Sequence, residues 1–330
     1  MISSILFYGQ PFLIGFGVAS VLCLLFIFLF RIVPLSNNRV GARHIHKKNI
    51  SRFGGLAIIT AFILALLWNE YLFFDHIVWA MIVGGVLILL FGIFDDLKPL
   101  SWQTQIFSQI SIILIVFIIG VRTEFITNPF GGVVWLVHDN MLIFSLLFML
   151  VWMLVIMNAI NWCDGIDGLA GGVVVIAALT LFIISLQPHV MQPPIAIMAI
   201  ILVGSVAGFL IFNLPPAKIF AGSSGAFFMG YALSLMAIAA GAKIGTALLV
   251  LSVPLVDALW VVWHRARSGK SIFHGDKEHL HYRLLDRGWS VWQILFLYYG
   301  VTILSAVIAV ATQTTSKVIA LIIFCSMIVL

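Results

Sequence analysis

The sequence predicts an all-α fold, a polytopic helical membrane protein, and three observations carry that prediction. Of the 330 residues, 63% are hydrophobic and only 9% are charged, where soluble domains carry roughly 25% charged residues. Mean hydropathy is +1.19. The apolar residues fall in continuous runs instead of alternating, which excludes a transmembrane β-barrel.

Taken in order, apolar runs occur at 12–33, 54–69, 76–94, 101–120, 141–159, 167–186, 194–213, 225–242, 244–263 and 291–312, with an eleventh at 318–330. A membrane helix needs ~20 residues, so 54–69 is short, and an extension into its flanks is left open. These runs predict 10–11 transmembrane helices in a single domain over 1–330, whose longest polar stretch is 264–290. The first run has no basic residue before it and no small-residue cleavage pattern after it, and reads as a retained span. Cys23, Cys163 and Cys325 are odd in number and scattered, which gives neither a disulfide framework nor a zinc spacing. Segment 121–140 contains Thr127-Asn128-Pro129-Phe130-Gly131-Gly132, a turn signal between short β-prone pieces. It predicts a small extracytoplasmic hairpin.

With the N-terminus outside, segments 34–53, 95–100, 160–166, 214–224 and 264–290 share one face. That face receives fourteen of the seventeen Lys and Arg residues, leaving Arg122, Lys243 and Lys317 for the other. Basic residues stay on the cytoplasmic side, so the five polar segments are assigned there. The same bias would attract anionic headgroups at about 1 kcal/mol per Lys or Arg near the surface.

The chain is organised around 158–169, Asn-Ala-Ile-Asn-Trp-Cys-Asp-Gly-Ile-Asp-Gly-Leu. Asn158, Asn161, Asp164 and Asp167 recur every third residue, which places them on roughly one side of a helical or turn-like backbone. An ionised group at mid-bilayer costs about 2.5–3.5 kcal/mol, so the cluster belongs at a membrane rim within reach of water or a cation. A helix cap accounts for one of these carboxylates and leaves the others unexplained.

Four further segments carry chemistry. In 34–53, His44, His46, Lys47 and Lys48 precede Arg52-Phe53-Gly54-Gly55, either a basic topology signal or a phosphate-binding arm at a helix start. The third run ends in Asp95-Asp96-Leu97-Lys98-Pro99. Adjacent carboxylates are about 100° apart on a helix, so convergence on one ligand is expected only if the helix ends there. Metal binding, proton abstraction and a solvated helix end all remain open. Segment 213–225 joins Pro215-Pro216 to Gly222-Ser223-Ser224-Gly225, a turn whose backbone N–H groups could hold phosphate. Asp257 precedes His274, Asp276, Lys277, Glu278, His279, His281 and Arg283. The spacing of His279 and His281 suits a loop facing one ligand, and a zinc site lacks a third spaced ligand.

In this order the motifs closely resemble the polyprenyl-phosphate N-acetylhexosamine-1-phosphate transferases, the superfamily that includes the phospho-MurNAc-pentapeptide translocase. The resemblance covers about 34–290, and His279-Leu280-His281 with Arg283-Leu284 resembles the bacterial undecaprenyl-phosphate GlcNAc-1-phosphate transferase branch of glycosyltransferase family 4. It implies attack of a lipid phosphate on the β-phosphorus of a UDP-N-acetylhexosamine, releasing UMP, as the first membrane step of a cell-envelope polysaccharide pathway. By motif match, Asp95, Asp96, Asp164 and Asp167 are the catalytic candidates. Asn158, Lys218, Ser223, His279, His281 and Arg283 are the substrate-binding candidates. Asn161 and Asp164 are the metal candidates, for Mg²⁺ or alternatively Mn²⁺. The implied partners are the UDP-sugar, polyprenyl phosphate and the membrane, with no nucleic acid and with a homodimer left open. The implied location is the bacterial inner membrane, with the active site facing the cytoplasm.

The sequence departs from the family pattern at three places. Ser223 stands where the family usually has a metal-ligating Asp, Gln105 where many relatives are basic, and Tyr282 where another His is common. A hydroxyl is a poor substitute for a carboxylate on Mg²⁺, so Ser223 weakens the expected metal site, and Ser223→Asp is expected to lower the Mg²⁺ requirement. Two other functions remain open: a catalytically impaired family member that binds lipid phosphate or nucleotide, and a transporter whose intramembrane charges line a path.

Overall fold

The computed structural model describes residues 2–32, 50–128, 132–137, 142–188, 190–241, 244–269, 278–312 and 314–329. Within them the helices run α1 (Ile2–Ile32), α2 (Gly54–Leu67), α3 (His76–Leu97), α4 (Trp102–Ile119), α5 (Ile143–Cys163), α6 (Leu169–Ser185) and α7 (Pro193–Asn213). They continue as α8 (Gly222–Ala239), α9 (Ile244–Val250), α10 (Ser252–Arg267), α11 (Leu280–Asp286), α12 (Val291–Ala311) and α13 (Thr314–Val329). Strands β1 (Phe125–Thr127) and β2 (Val133–Trp135) pair antiparallel between α4 and α5, Ile126 opposite Val134. The expected hairpin is therefore present. Arg39, Arg43, His44, His46, Lys47, Lys48, Lys270, His274, Asp276 and Lys277 lie outside the described residues.

The protein is an all-α polytopic membrane protein. Seven of the described helices are long and apolar enough to cross a bilayer, eight if α9 and α10 count as one bent span. The short run at 54–69 does not extend into its flanks. α2 has 14 residues, about 21 Å at 1.5 Å per residue, against a hydrocarbon thickness of ~30 Å. The run at 244–263, expected as one span, is broken into α9 and α10, which meet at 79°. Pro254 gives a local reason, because it has no N–H to donate to the Val250 carbonyl, and it sits where proline is tolerated, in the first turn of a new helix.

α8 lies at the centre, packed by α2, α3, α5 and α6. Its interior polar groups are satisfied across helices: Tyr231 donates to the Ala80 carbonyl at 2.6 Å, and Trp152 Nε1 donates to the Ser234 carbonyl at 3.0 Å. α1 packs on α7 through a seam of small residues that includes Gly15, Ala19, Gly204 and Gly208, which lets backbones approach where lipid offers little competing packing. The outer helices expose large apolar side chains, among them Phe107 at 71% and Ile118 at 80%. A bilayer, not water, is the medium that accepts such a surface.

The two ends of the bundle differ. At one end the Phe7 and Tyr71 rings pack 4.5 Å apart, and β1 lies against α9. At the other, Phe26 reaches Phe53, and the described parts of all five polar segments meet. The grouping made from basic residues is the grouping the helices produce.

Candidate active site

The site is built on the segment leading into α8. Asn213, at the end of α7, accepts from the Gly168 amide at 3.0 Å and donates to the Ile219 carbonyl at 2.8 Å. The Phe220 amide donates to the Ser51 carbonyl at 2.8 Å, while the Gly54 and Gly55 amides donate to the Phe220 and Ala221 carbonyls at 3.0 and 2.8 Å. Residues 51–55, 167–168 and 213–221 are thereby laced into one floor. The glycine pair at the start of α2, one of the sequence readings for phosphate binding, spends its amides on this floor.

α8 has no cap from its own sequence, since Ala221 at its N-cap offers no side-chain acceptor. Asp96 of α3 supplies one. Its carboxylate accepts from the Ser223 amide at 3.0 Å, the Ser224 amide at 3.5 Å and the Ser224 hydroxyl at 3.3 Å. The Ser223 hydroxyl donates to Asp95, which also accepts from the Leu100 amide at 2.9 Å and Gln105 Nε2 at 3.1 Å. One expectation holds here and one changes. α3 ends at Leu97, one residue past the aspartates, and Asp95 and Asp96 meet there on Ser223. The amides of Ser223 and Ser224 serve a carboxylate, so they are not an open phosphate cradle.

The three-residue repeat separates into different jobs. Asn158 and Asn161 lie in the last turns of α5, Asp164 is its C-cap and Asp167 sits in the following turn. Asn158 Nδ2 donates to Gln109 Oε1 at 2.7 Å and to the Leu154 carbonyl at 2.8 Å, tying α5 to α4. Asp167 is buried and accepts from the Ala217 amide at 2.9 Å. Asp164 takes no hydrogen bond on its side chain among the described residues, and neither does the half-buried Asn161. Desolvation, with repulsion from Asp96 and Asp167 outweighing attraction by Arg52, pushes the Asp164 carboxyl up to about 8.

These differences predict separable phenotypes. Asp167→Ala leaves the Ala217 amide without its acceptor and is expected to cost about 1–3 kcal/mol of stability. Asp167→Asn keeps an acceptor and should lose less. Thermal unfolding of both variants in detergent checks this, and equal losses would remove the hydrogen bond as the cause.

The second wall comes from α10 and α11. Asp257 Oδ1 accepts from the Leu280 amide at 2.7 Å, and Asp257 Oδ2 pairs with His279 Nδ1 at 2.9 Å. One carboxylate thus caps α11 and fixes the ring of its N-cap residue. His279 and His281 stack with ring centroids 5.8 Å apart and planes 6° apart. Their alignment survives because His279 is still extended while His281 is already helical.

His281 has no exposed surface, and neither ring nitrogen has a hydrogen-bond partner among the described residues. Burial, and secondarily proximity to His279, lowers its pKa to about 4 against the pull of Asp257, so the ring is neutral. A Cβ on Gly165 would lie 2.2 Å from His281 Nε2. Gly165 therefore makes room for α11, and the Tyr282 hydroxyl closes the contact by donating to the Gly165 carbonyl at 3.2 Å. Arg283 lies over the Trp260 ring at 4.4 Å, and Lys218 is exposed.

The geometry thus brings Asp95, Asp96, Asn161, Asp164 and His279 to one end, with Lys218 at its rim and His281 behind the Gly165 turn. Sequence reasoning left Gln105, Gln109 and Asp257 without assigned roles. Gln105 and Gln109 lie four apart, on one face of α4; what that face meets is set by packing.

Comparison with known proteins places the chain in a family. The family model described as glycosyl transferase family 4 matches residues 78–241. Decaprenyl-phosphate N-acetylglucosaminephosphotransferase of Mycobacterium leprae is 34% identical over 287 residues, covering 78% of this chain and 72% of the relative. The chain belongs to glycosyl transferase family 4. Other similar members are the probable undecaprenyl-phosphate N-acetylglucosaminyl 1-phosphate transferase of Bacillus subtilis, 28% identical over 83% of this chain and 76% of the relative, and the phospho-N-acetylmuramoyl-pentapeptide-transferase of Listeria welshimeri, 26% identical over 81% and 85%. As a member of the family, the protein is a membrane-bound sugar-phosphate transferase.

The donor set bears on the metal expected from the sequence. Among the described residues no three His, Cys, Asp or Glu side chains gather as metal ligands, so those residues form no all-protein cage. Mg²⁺ is commonly held by one or two carboxylates with waters and substrate phosphates. Asp164, desolvated and without a hydrogen-bond partner among the described residues, with Asn161 one turn earlier, fits that kind of site.

Proposed function

We propose that this protein transfers GlcNAc-1-phosphate from UDP-GlcNAc to a polyprenyl phosphate at the cytoplasmic face of the bacterial inner membrane, beginning a cell-envelope polysaccharide. The observation that carries the reading is the convergence of Asp95, Asp96, Asn161, Asp164 and His279 at the end of the bundle richest in basic residues. Family membership supplies the reaction class, and relatives named for N-acetylglucosamine transfer to polyprenyl phosphates support the substrates. The clustering of carboxylates at one end favours chemistry at a surface over a transport path.

In the reaction an oxygen of the lipid phosphate bonds to the β-phosphorus of the sugar nucleotide. The bond from that phosphorus to the bridging oxygen breaks, and UMP leaves. A phosphate monoester with a second pKa near 6 is already mostly dianionic at neutral pH, so alignment and charge neutralisation matter more than a strong base. This suits Asp95 and Asp96, which act as acceptors that fix the start of α8. Asp164 and Asn161 would hold a divalent ion, which when bound neutralises charge developing on the pyrophosphate oxygens. Arg52, close enough to act electrostatically on Asp164, is placed to attract phosphate, and Lys218 lies at the rim. His279 is held in orientation by Asp257 through Nδ1.

The test is UMP release from UDP-GlcNAc by the purified full-length protein with undecaprenyl phosphate and Mg²⁺. UMP together with a lipid diphosphosugar is expected. A folded protein that binds UDP-GlcNAc yet releases no UMP would establish the impaired-member reading that Ser223 raises.

A further inference from the structure

We propose that Tyr282 and Tyr299 are positioning residues for Asp164, their hydroxyls strapping the 164–168 turn from behind through the carbonyls of Gly165 and Gly168. The inference rests on the transferase reading for its effect on turnover and on geometry alone for its effect on the turn.

The Asp164 side chain makes no hydrogen bond among the described residues, so its carboxylate is aimed by its backbone. Upstream that backbone is helical, and the Asp164 amide donates to the Ile160 carbonyl at 3.1 Å. Downstream α5 has ended, and residues 165–168 form a turn in which Gly168 takes a φ of +78°. A turn has no repeating ladder of hydrogen bonds, so its carbonyls need other partners. Tyr282 Oη donates to the Gly165 carbonyl at 3.2 Å, and Tyr299 Oη donates to the Gly168 carbonyl at 2.6 Å. One carbonyl follows Asp164 and the other follows Asp167.

The rings are fitted to glycines. A Cβ at Gly165 would come 2.9 Å from the Tyr282 hydroxyl, and one at Gly172 would overlap the end of the Tyr299 ring. Gly172 lies in the first turn of α6, and its amide donates to the same Gly168 carbonyl at 3.0 Å. That carbonyl has two lone pairs and accepts from both.

The two tyrosines also belong to one unit. Tyr282 is in α11 and Tyr299 in α12, and the connection between these helices is short and bonded. The Arg287 and Gly288 amides donate to the Arg283 and Leu285 carbonyls at 3.2 and 2.9 Å, and Ser290 with Gln293 closes a capping box at the start of α12. His279, fixed by Asp257, is the N-cap of the same α11. The strap thus holds Asp164 and His279, from the two walls of the site, in one register.

The experiment is a double-mutant cycle between Tyr299→Phe and Asp164→Asn in the full-length protein, read by UMP release and by hydrogen exchange of the peptide spanning 164–169. Tyr299→Phe removes a hydroxyl and keeps the ring. It should lower kcat by about 10-fold, less than the ~100-fold that a displacement near 1 Å can cost. KM for UDP-GlcNAc should change less than about 3-fold, the split expected when alignment and not binding is lost. In the Asp164→Asn background the same substitution should cost less than about 2-fold, because the group it positions is gone. Its effect on melting temperature should be the same in both backgrounds. Without substrate, exchange of 164–169 should quicken about 10-fold in Tyr299→Phe and in Tyr282→Phe, the scale of one ordinary hydrogen bond lost.

Losses in kcat that multiply across the cycle, or exchange unchanged by Tyr299→Phe, would overturn the strap. Should Tyr299→Phe fail to fold, Gly172→Ala, which keeps the hydroxyl but fills the space of the ring, should give the same pattern; unchanged kcat and exchange in that variant would overturn it equally. If the unmodified protein releases no UMP, the transferase reading fails and exchange alone decides the strap. Exchange also decides it if Asp164→Asn leaves too little turnover to compare.

Discussion

Replacing Asp164 by Asn should cut sugar-phosphate transfer by about 10³-fold, the scale seen when a group that stabilises developing charge is removed, while leaving the fold at least as stable. Asp95, Asp96 and Asp167 each accept hydrogen bonds that join helices or loops. Asp164 does no such work among the described residues, although desolvation and the charges of Asp96 and Asp167 act against it. A group kept in so unfavourable a setting is a candidate for ligand binding, and its removal relieves the protein. The sign of the pH effect follows. A carboxyl raised to about 8 in the folded state, and near 4 when unfolded, contributes stability at low pH that is lost as pH rises through that window. In chelator-treated protein, Asp164→Asn should therefore gain most over the unmodified form near pH 8. UMP release and thermal unfolding at pH 5 and pH 8 check both halves. Transfer within about 10-fold of the unmodified protein, or a melting temperature lowered at pH 8, would remove Asp164 from the centre of the site.

The largest structural effect is expected at Gly92. A Cβ built there lies 2.3 Å from Ser224 Cα and 2.6 Å from its amide nitrogen. These are backbone atoms of α8, and no side-chain rotation moves them aside. Gly92 is one helical turn before Asp95 and Asp96, so relieving the clash by pushing α8 away separates both carboxylates from Ser223. Gly92→Val should destabilise the protein by about 3 kcal/mol, the upper part of the overpacking range. In the molecules that still fold, transfer should drop by about 10²-fold, since displacements near 1 Å have that effect on reacting groups. Gly17→Ala is the control: a Cβ there meets nothing within 4 Å, and Ala is the better helix former. The comparison is the melting temperature and UMP release of both variants. Parity between them would mean that the α3–α8 contact is not what holds the aspartates in place.

The sequence by itself determined the fold class, the order of the helices, the hairpin and the five segments that share one end. These are properties of local composition: apolar run length, turn residues and the side on which basic residues fall. It also pointed to the two clusters of acidic and amide residues, because polar groups in so apolar a chain are conspicuous wherever they stand. Only the tertiary structure decided what each does. The three-residue repeat looks uniform from Asn158 to Asp167, yet Asn158 ties α5 to α4, Asp167 anchors the 213–221 floor and Asp164 makes no side-chain hydrogen bond among the described residues. Asp95 and Asp96 were expected to meet only at a helix end; they stand in the last turn of α3, and what they meet on is Ser223, 128 and 127 residues further along the chain. Spacing along a helix fixes which face a side chain lies on. The hydrogen-bond partners and desolvation that separate a structural carboxylate from a reactive one come from helices distant in sequence, and exist only once those helices have packed.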